Sequence, residues 1–219
     1  MIYTVTMTIR LFDIQGNRLY LTQDERRRFL DACKGLKQEA RTYCETLALT
    51  GCRESEPLGV LPQHVILDEK AIVFRTLKKR RQDVYRRVPI SEGHLDTLCL
   101  VHRLREPSRA EKTALSDSPL WGFTRMTGYR YVKQAMATAD IEPGPHRTPK
   151  GLRHAFGVHA IMQGVPITQF IMDEQNRPGS SPPACGLSGY YRPAIEACAH
   201  PADKGCKTDL PRCRCAPQK

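Results

Sequence analysis

The chain has 219 residues, 40% of them hydrophobic, and a formal charge of +11, which suffices for one compact domain, or one domain and a tail. No apolar run approaches the roughly 18 residues needed to span a bilayer, and nine cysteines, an odd number, argue against a fully paired disulfide framework. The excess of cations favours a polyanionic partner, of which nucleic acid is the usual one.

Residues 1–10 alternate Ile2, Val5, Met7 and Ile9 with polar residues. Without a basic start or an apolar run they read as a strand and not as a signal peptide, so a cytoplasmic protein with reduced thiols is expected. Thr22-Gln-Asp-Glu25 is a capping box that opens a helix running through Phe29 and Leu30 to about Cys33, where Gly35 breaks it. A second helix is predicted over residues 37–50, with Tyr43, Leu47 and Ala48 near one face and Gly51 as its left-handed stop. Short strands follow at 65–67, 71–77 and 84–90, with a turn at 68–70 and a basic loop between the last two. Residues 106–117 read as a flexible connection. A helix is predicted over 121–139, with Tyr129, Val132 and Met136 inward and Arg125, Arg130 and Lys133 outward. After a loop at 143–149 comes an apolar helix over 152–163, closed by Gly164 and Pro166. Beyond Gln169 the periodicity fades, and from Pro178 prolines, cysteines and glycines dominate. The predicted fold is mainly α with a small antiparallel β-sheet (α+β), divided into an N-terminal extension (1–20), a main domain (21–169) and an atypical tail (170–219).

Three stretches carry candidate chemistry. In Thr50-Gly-Cys-Arg53-Glu-Ser-Glu56 an arginine follows a glycine-capped helix directly, so its planar fork is held at the end of a packed element and suits two oxygens of one phosphate. Glu56 could orient it; the alternative is an ordinary surface Arg–Glu pair. In Thr76-Leu-Lys78-Lys79-Arg80-Arg81 a lysine on a hairpin could give a proton to a leaving oxygen, or the run is simply a phosphate-contact patch. In Thr148-Pro-Lys150-Gly-Leu-Arg153-His154, Lys150 and Arg153 lie one turn apart at a helix start. The helix dipole disfavours cations there, and an anion at that position resolves the conflict. His154 is expected to be a satisfied structural histidine.

Together these resemble the tyrosine recombinase (phage integrase) family over roughly residues 21–169. The landmarks are Leu-Thr-x-x-Glu at 21–25, Thr-Gly-x-Arg-x-x-Glu at 50–56, a lysine-bearing hairpin ending in Val88-Pro89-Ile90, Leu-Arg-His at 152–154 and Gly-Val-Pro at 164–166. The resemblance implies a catalytic domain that cuts and rejoins DNA through a 3′-phosphotyrosine bond, without cofactor or metal. It implies that Arg53 and Arg153 neutralise the phosphate in the transition state. Lys78 or its neighbour Lys79 would protonate the leaving 5′-oxygen, and Lys150 stands where the family commonly has histidine. Double-stranded DNA is the implied partner, contacted by Lys79, Arg80, Arg81, Arg125, Arg130 and Lys133, with a homo-tetramer acting on two duplexes and no membrane role.

The sequence departs from the family in two places. An ungapped count from Gly164 puts Asp173-Glu-Gln-Asn176 at the Trp/Leu-Gly-His motif and Cys185 at the nucleophilic tyrosine. Tyr190 and Tyr191 lie further on, and Ser188-Gly-Tyr-Tyr191 slightly favours Tyr191. A frameshift is the other account: codons for residues 178–183 can read Arg-Gln-Leu-x-Thr in another frame, a stretch the family carries before its tyrosine. A zinc-binding tail is disfavoured because Cys213 and Cys215 are too closely spaced. The second departure is that only about 20 residues precede the capping box, where family members carry a helical core-binding domain. The alternatives to an active recombinase are a catalytically defective DNA-binding remnant and a type IB topoisomerase-like nicking activity.

Overall fold

A computed structural model describes residues 11–76, 84–105 and 118–165. These build five α-helices and a three-stranded antiparallel sheet: α1 (Gln23–Cys33), α2 (Gln38–Thr50), β1 (Val65–Ile66), β2 (Ala71–Arg75), β3 (Tyr85–Pro89), α3 (Glu92–His102), α4 (Arg125–Thr138) and α5 (Pro149–Met162). The mainly helical, α+β expectation holds. None of the helices among the described residues is long and apolar enough to cross a membrane. The strand expected over 1–10 and the connection over 106–117 lie outside the described residues.

The capping box forms as expected. Glu25 N donates to Thr22 Oγ1 at 3.2 Å and Thr22 N donates to the Glu25 carboxylate at 2.8 Å. Burial opposes the charge on Glu25, but the bidentate Arg18 fork and the Thr22 amide outweigh it and hold its pKa down to about 2. Helix α1 is thereby anchored to the strand-like segment before it.

Helix α2 is the axis of the domain and touches α1, α3, α4 and α5. Every residue from Thr42 to Thr50 is buried, so the single apolar face expected of it is too narrow a description. Its polar members are accommodated by hydrogen bonds. Thr46 Oγ1 and Thr50 Oγ1 each donate to the carbonyl one turn back, at 2.7 Å. Thr42 Oγ1 donates to Glu39 O at 3.0 Å, accepts from Trp121 Nε1 at 3.0 Å, and lies 3.0 Å from His102 Nε2. Since the hydroxyl has one proton, His102 must donate through Nε2. His94 Nε2 sits 2.9 Å from Thr46 Oγ1 in the same way.

Helix α3, which carries both histidines, was not among the predicted elements. Ser91 caps it, and Leu95, Leu98 and Cys99 are buried beside the histidines. Two further boundaries differ. The helix expected from residue 121 begins at Arg125 behind Thr124 as cap, and Trp121 is instead a core residue, 1% exposed. Helix α5 begins at Pro149, three residues earlier than expected, because proline is well suited to the first helical position. The sheet pairs Val65 with Ile72, Ile72 with Val88, and Phe74 with Arg86, and its strands are shorter than predicted.

The α2–α3 contact makes stability pH-dependent. Burial, then the nearby His94, pushes the His102 pKa from 6.5 down to about 4. The native state thus binds this proton less readily than the unfolded chain. The neutral ring's contribution is complete above pH 6.5 and is lost as pH falls towards 4, in total about 3 kcal/mol. Urea unfolding of the wild type and of His102→Gln from pH 7 to 4 is expected to show the variant losing about 3 kcal/mol less. Parallel pH profiles would contradict this.

Candidate active site

The C-terminus of α2 and the N-terminus of α5 meet at Gly51. Gly51 caps α2 with φ 59°, a conformation that favours glycine. A Cβ on Gly51 would stand 2.4 Å from Cδ1 of Phe156, so the α5 ring fills the space that only glycine leaves. From the same helix, Arg153 Nη1 donates to Gly51 O at 2.7 Å. One residue thus ends one helix and seats the other.

Two residues on, Arg53 is fastened twice to Glu56: its backbone N donates to Oε2 at 2.8 Å and its Nη1 donates to Oε1 at 2.9 Å. The Glu56 side chain is 0% exposed. The expectation that Glu56 orients Arg53 holds, and the pair is not a surface one. A third arginine joins them. Arg86 on β3 donates through Nη2 to Glu56 Oε2 at 2.6 Å, and its guanidinium lies 5.5 Å from the Phe74 ring centroid. Arg86 was absent from the sequence-derived candidates. The signal available was strand alternation, which puts Arg86 on the same face as buried Val88 and Ile90.

Arg153 is part of this group. Burial, then the charges of Arg53 and Arg86, lower its pKa, as one expects of a cation held among cations. It nevertheless remains charged at neutral pH. Three guanidinium groups against one carboxylate leave an excess of positive charge in a half-enclosed site. Cys52, between Gly51 and Arg53, is buried and its thiol is pushed up to about 12, so it is no nucleophile at neutral pH.

Helix α5 opens with Thr148 Oγ1 accepting from Gly151 N at 3.1 Å, and its first turn holds no acidic residue. Lys150 projects from that turn into solvent. The paired cations at a helix N-terminus are therefore real, and nothing acidic within the turn offsets them. His154 departs from its expected role: its Nε2 is buried without a hydrogen-bond partner among the described residues. Burial, then the charges of Lys150 and Arg153, lower its pKa.

The other candidates are placed as follows. Lys78, Lys79, Arg80 and Arg81 lie outside the described residues, as do Tyr190 and Tyr191. The described residues on either side of the four cations meet where Thr76 N donates to Val84 O at 2.7 Å, two residues from Arg86. On α4, Arg125 is paired with Glu54, Arg130 is exposed, and Lys133 is half-buried, donating to Arg147 O at 2.9 Å. No group of three His, Cys, Asp or Glu able to hold a metal occurs among the described residues.

Comparison with known proteins bears on the family and the fold. The model of the phage integrase family matches residues 19–173. The crystal structure of XerA recombinase superposes with a TM-score of 0.54 at 24% identity, over 70% of this chain and 52% of that one. XerH site-specific recombinase bound to palindromic difH substrate, in a post-cleavage complex, gives 0.57 at 19% identity, over 80% and 50%. The Tn1549 transposon integrase in complex with transposon right end DNA gives 0.50 at 21% identity, over 72% and 58%. The chain spans about half the length of these solved recombinases. No curated protein matches it.

Proposed function

The chain belongs to the phage integrase family, and from that premise we propose that residues 21–169 are the catalytic domain of a site-specific DNA recombinase. The observation that carries this reading is the clustering of three guanidinium groups: Arg53 and Arg86 bonded to the one buried Glu56 carboxylate, and Arg153, held by the Gly51 carbonyl, within range of both their charges. A site with surplus guanidinium charge at a helix N-terminus suits a phosphodiester, and suits better the transition state, in which charge accumulates on the non-bridging oxygens.

The chemistry assigned to the chain's own groups is a transesterification. The phenol of Tyr191 or Tyr190 releases its proton to solvent as its oxygen attacks the scissile phosphorus, and the bond to the 5′-oxygen breaks. Lys78 or Lys79 protonates that leaving oxygen. Arg53 and Arg153 hold the phosphate throughout. A 5′-hydroxyl of a second strand reverses the step, so the phosphodiester energy is kept and no nucleotide cofactor is consumed. Lys150, exposed on the first turn of α5, contributes charge at the family's histidine position. Double-stranded DNA is the substrate, Arg130 together with Lys79, Arg80 and Arg81 extends its contact, and a tetramer on two duplexes is the working assembly.

The test is to incubate the full chain with a pool of nicked duplexes of random sequence and to resolve products on a denaturing gel. A covalent protein–DNA band is expected. Binding to intact duplex should weaken with salt at a log–log slope of roughly −4 or steeper, about five phosphate contacts. Binding without an adduct would leave only a DNA-binding protein, and a flat salt response would sink the nucleic-acid reading altogether.

A further inference from the structure

We infer that Arg86 is a positioning residue for the phosphate site, acting through Glu56; this rests on the proposed phosphodiester substrate. Glu56 has two carboxylate oxygens and no solvent. Oε1 takes the Arg53 side chain, while Oε2 takes both the Arg53 backbone N–H and Arg86 Nη2. A buried carboxylate demands a counter-ion. With Arg86 in place that demand is met from β3. Arg53 is then fixed in direction by Glu56 without having its charge cancelled.

Without Arg86, Arg53 would be the only counter-ion that Glu56 has among these contacts. The guanidinium would be held as a closed ion pair and turned away from an incoming phosphate. Arg86 is itself unsuited to direct contact with DNA. Its side chain is 11% exposed, its plane lies near Phe74, and its nearest anion is Glu56. Its register on β3 opposite Phe74 keeps it there, and strand pairing enforces that register. The consequence is a division of labour among three arginines of like chemistry: Arg53 and Arg153 face the substrate, and Arg86 neutralises the carboxylate that aims Arg53.

The experiment is a double-mutant cycle in the full chain: Arg86→Gln, Glu56→Gln and the two together. Two quantities are read: the thermal midpoint, and the affinity for inorganic phosphate from the Arg153 Nε–Hε resonance, assigned by its loss in Arg153→Lys. Arg86→Gln alone is expected to weaken phosphate binding tenfold or more and to lower the midpoint by about 5 °C or more. In the Glu56→Gln background the same replacement should leave phosphate affinity unchanged and should not lower the midpoint, since the carboxylate that needed neutralising is gone and Arg86 is itself left without its partner. Losses that add in the double variant, with phosphate binding by the wild type intact, would overturn the positioning role alone. A wild type whose arginine resonances ignore phosphate would overturn the proposed function, and the positioning role with it.

Discussion

Replacing Arg153 with alanine is expected to slow covalent adduct formation by about 10²–10³-fold, the cost of removing one preorganised donor from a developing oxyanion. The protein should remain folded. Arg153 contributes one hydrogen bond to the Gly51 carbonyl, worth about 1 kcal/mol. The neighbouring Arg53 and Arg86 charges repel it, so its removal also relieves like-charge crowding. These two effects on stability oppose each other, whereas the loss of transition-state charge has nothing to offset it. Single-turnover cleavage and a thermal melt on the same preparation separate the two. An adduct rate within tenfold of the wild type would remove Arg153 from the active site.

The second large effect is expected at Gly151, in the first turn of α5. A Cβ there would stand 1.8 Å from the carbonyl oxygen of His146 and 3.2 Å from Leu21 Cδ1. The oxygen belongs to a backbone that also accepts from Thr148 N at 2.8 Å, so it cannot swing aside as a side chain would. Relief requires the loop and the helix start to part by on the order of 1.5 Å. Gly151→Ala should therefore destabilise by about 3 kcal/mol and, by displacing Arg153, reduce cleavage by about 100-fold. Gly157, two turns on in the same helix, has nothing within 4 Å of its would-be Cβ. There alanine should stabilise by about 0.5–1 kcal/mol through helix propensity alone. Opposite signs in urea unfolding of the two variants are the expected result. Equal signs would mean that α5 is not seated as described.

What could be read from the sequence was local. The Thr22–Glu25 box, the Gly51 cap and the Arg53–Glu56 pair each lie within a few residues, and each follows from short-range chemistry. Helix α3 escaped because the face it buries includes His94 and His102, which satisfy threonines of α2 about 50 residues away and look polar in a periodicity count. Arg86 escaped for the same reason: its partner is Glu56, 30 residues upstream, and nothing between them announces the contact. Trp121 fits the helical spacing, but its indole N–H is claimed by Thr42, and α4 starts four residues later, at Arg125, behind Thr124 as cap. His154 was expected to be satisfied, and a single sequence carries no sign of whether a ring nitrogen meets an acceptor.

The seam at Gly51 has a bearing on how the molecule is born. Arg153 and the carbonyl it grips are 102 positions apart in the chain. At ribosomal speeds of 5–20 residues per second, roughly 5–20 s separate their synthesis. Through that interval Arg53 and Glu56 can already be paired, yet the second guanidinium of the proposed phosphate clamp does not exist. The seam is also a long-range closure, the kind of contact whose entropy must be met before it yields anything. The proposed grip on a phosphate thus waits for α5, and a chain interrupted before α5 carries Arg53 without Arg153.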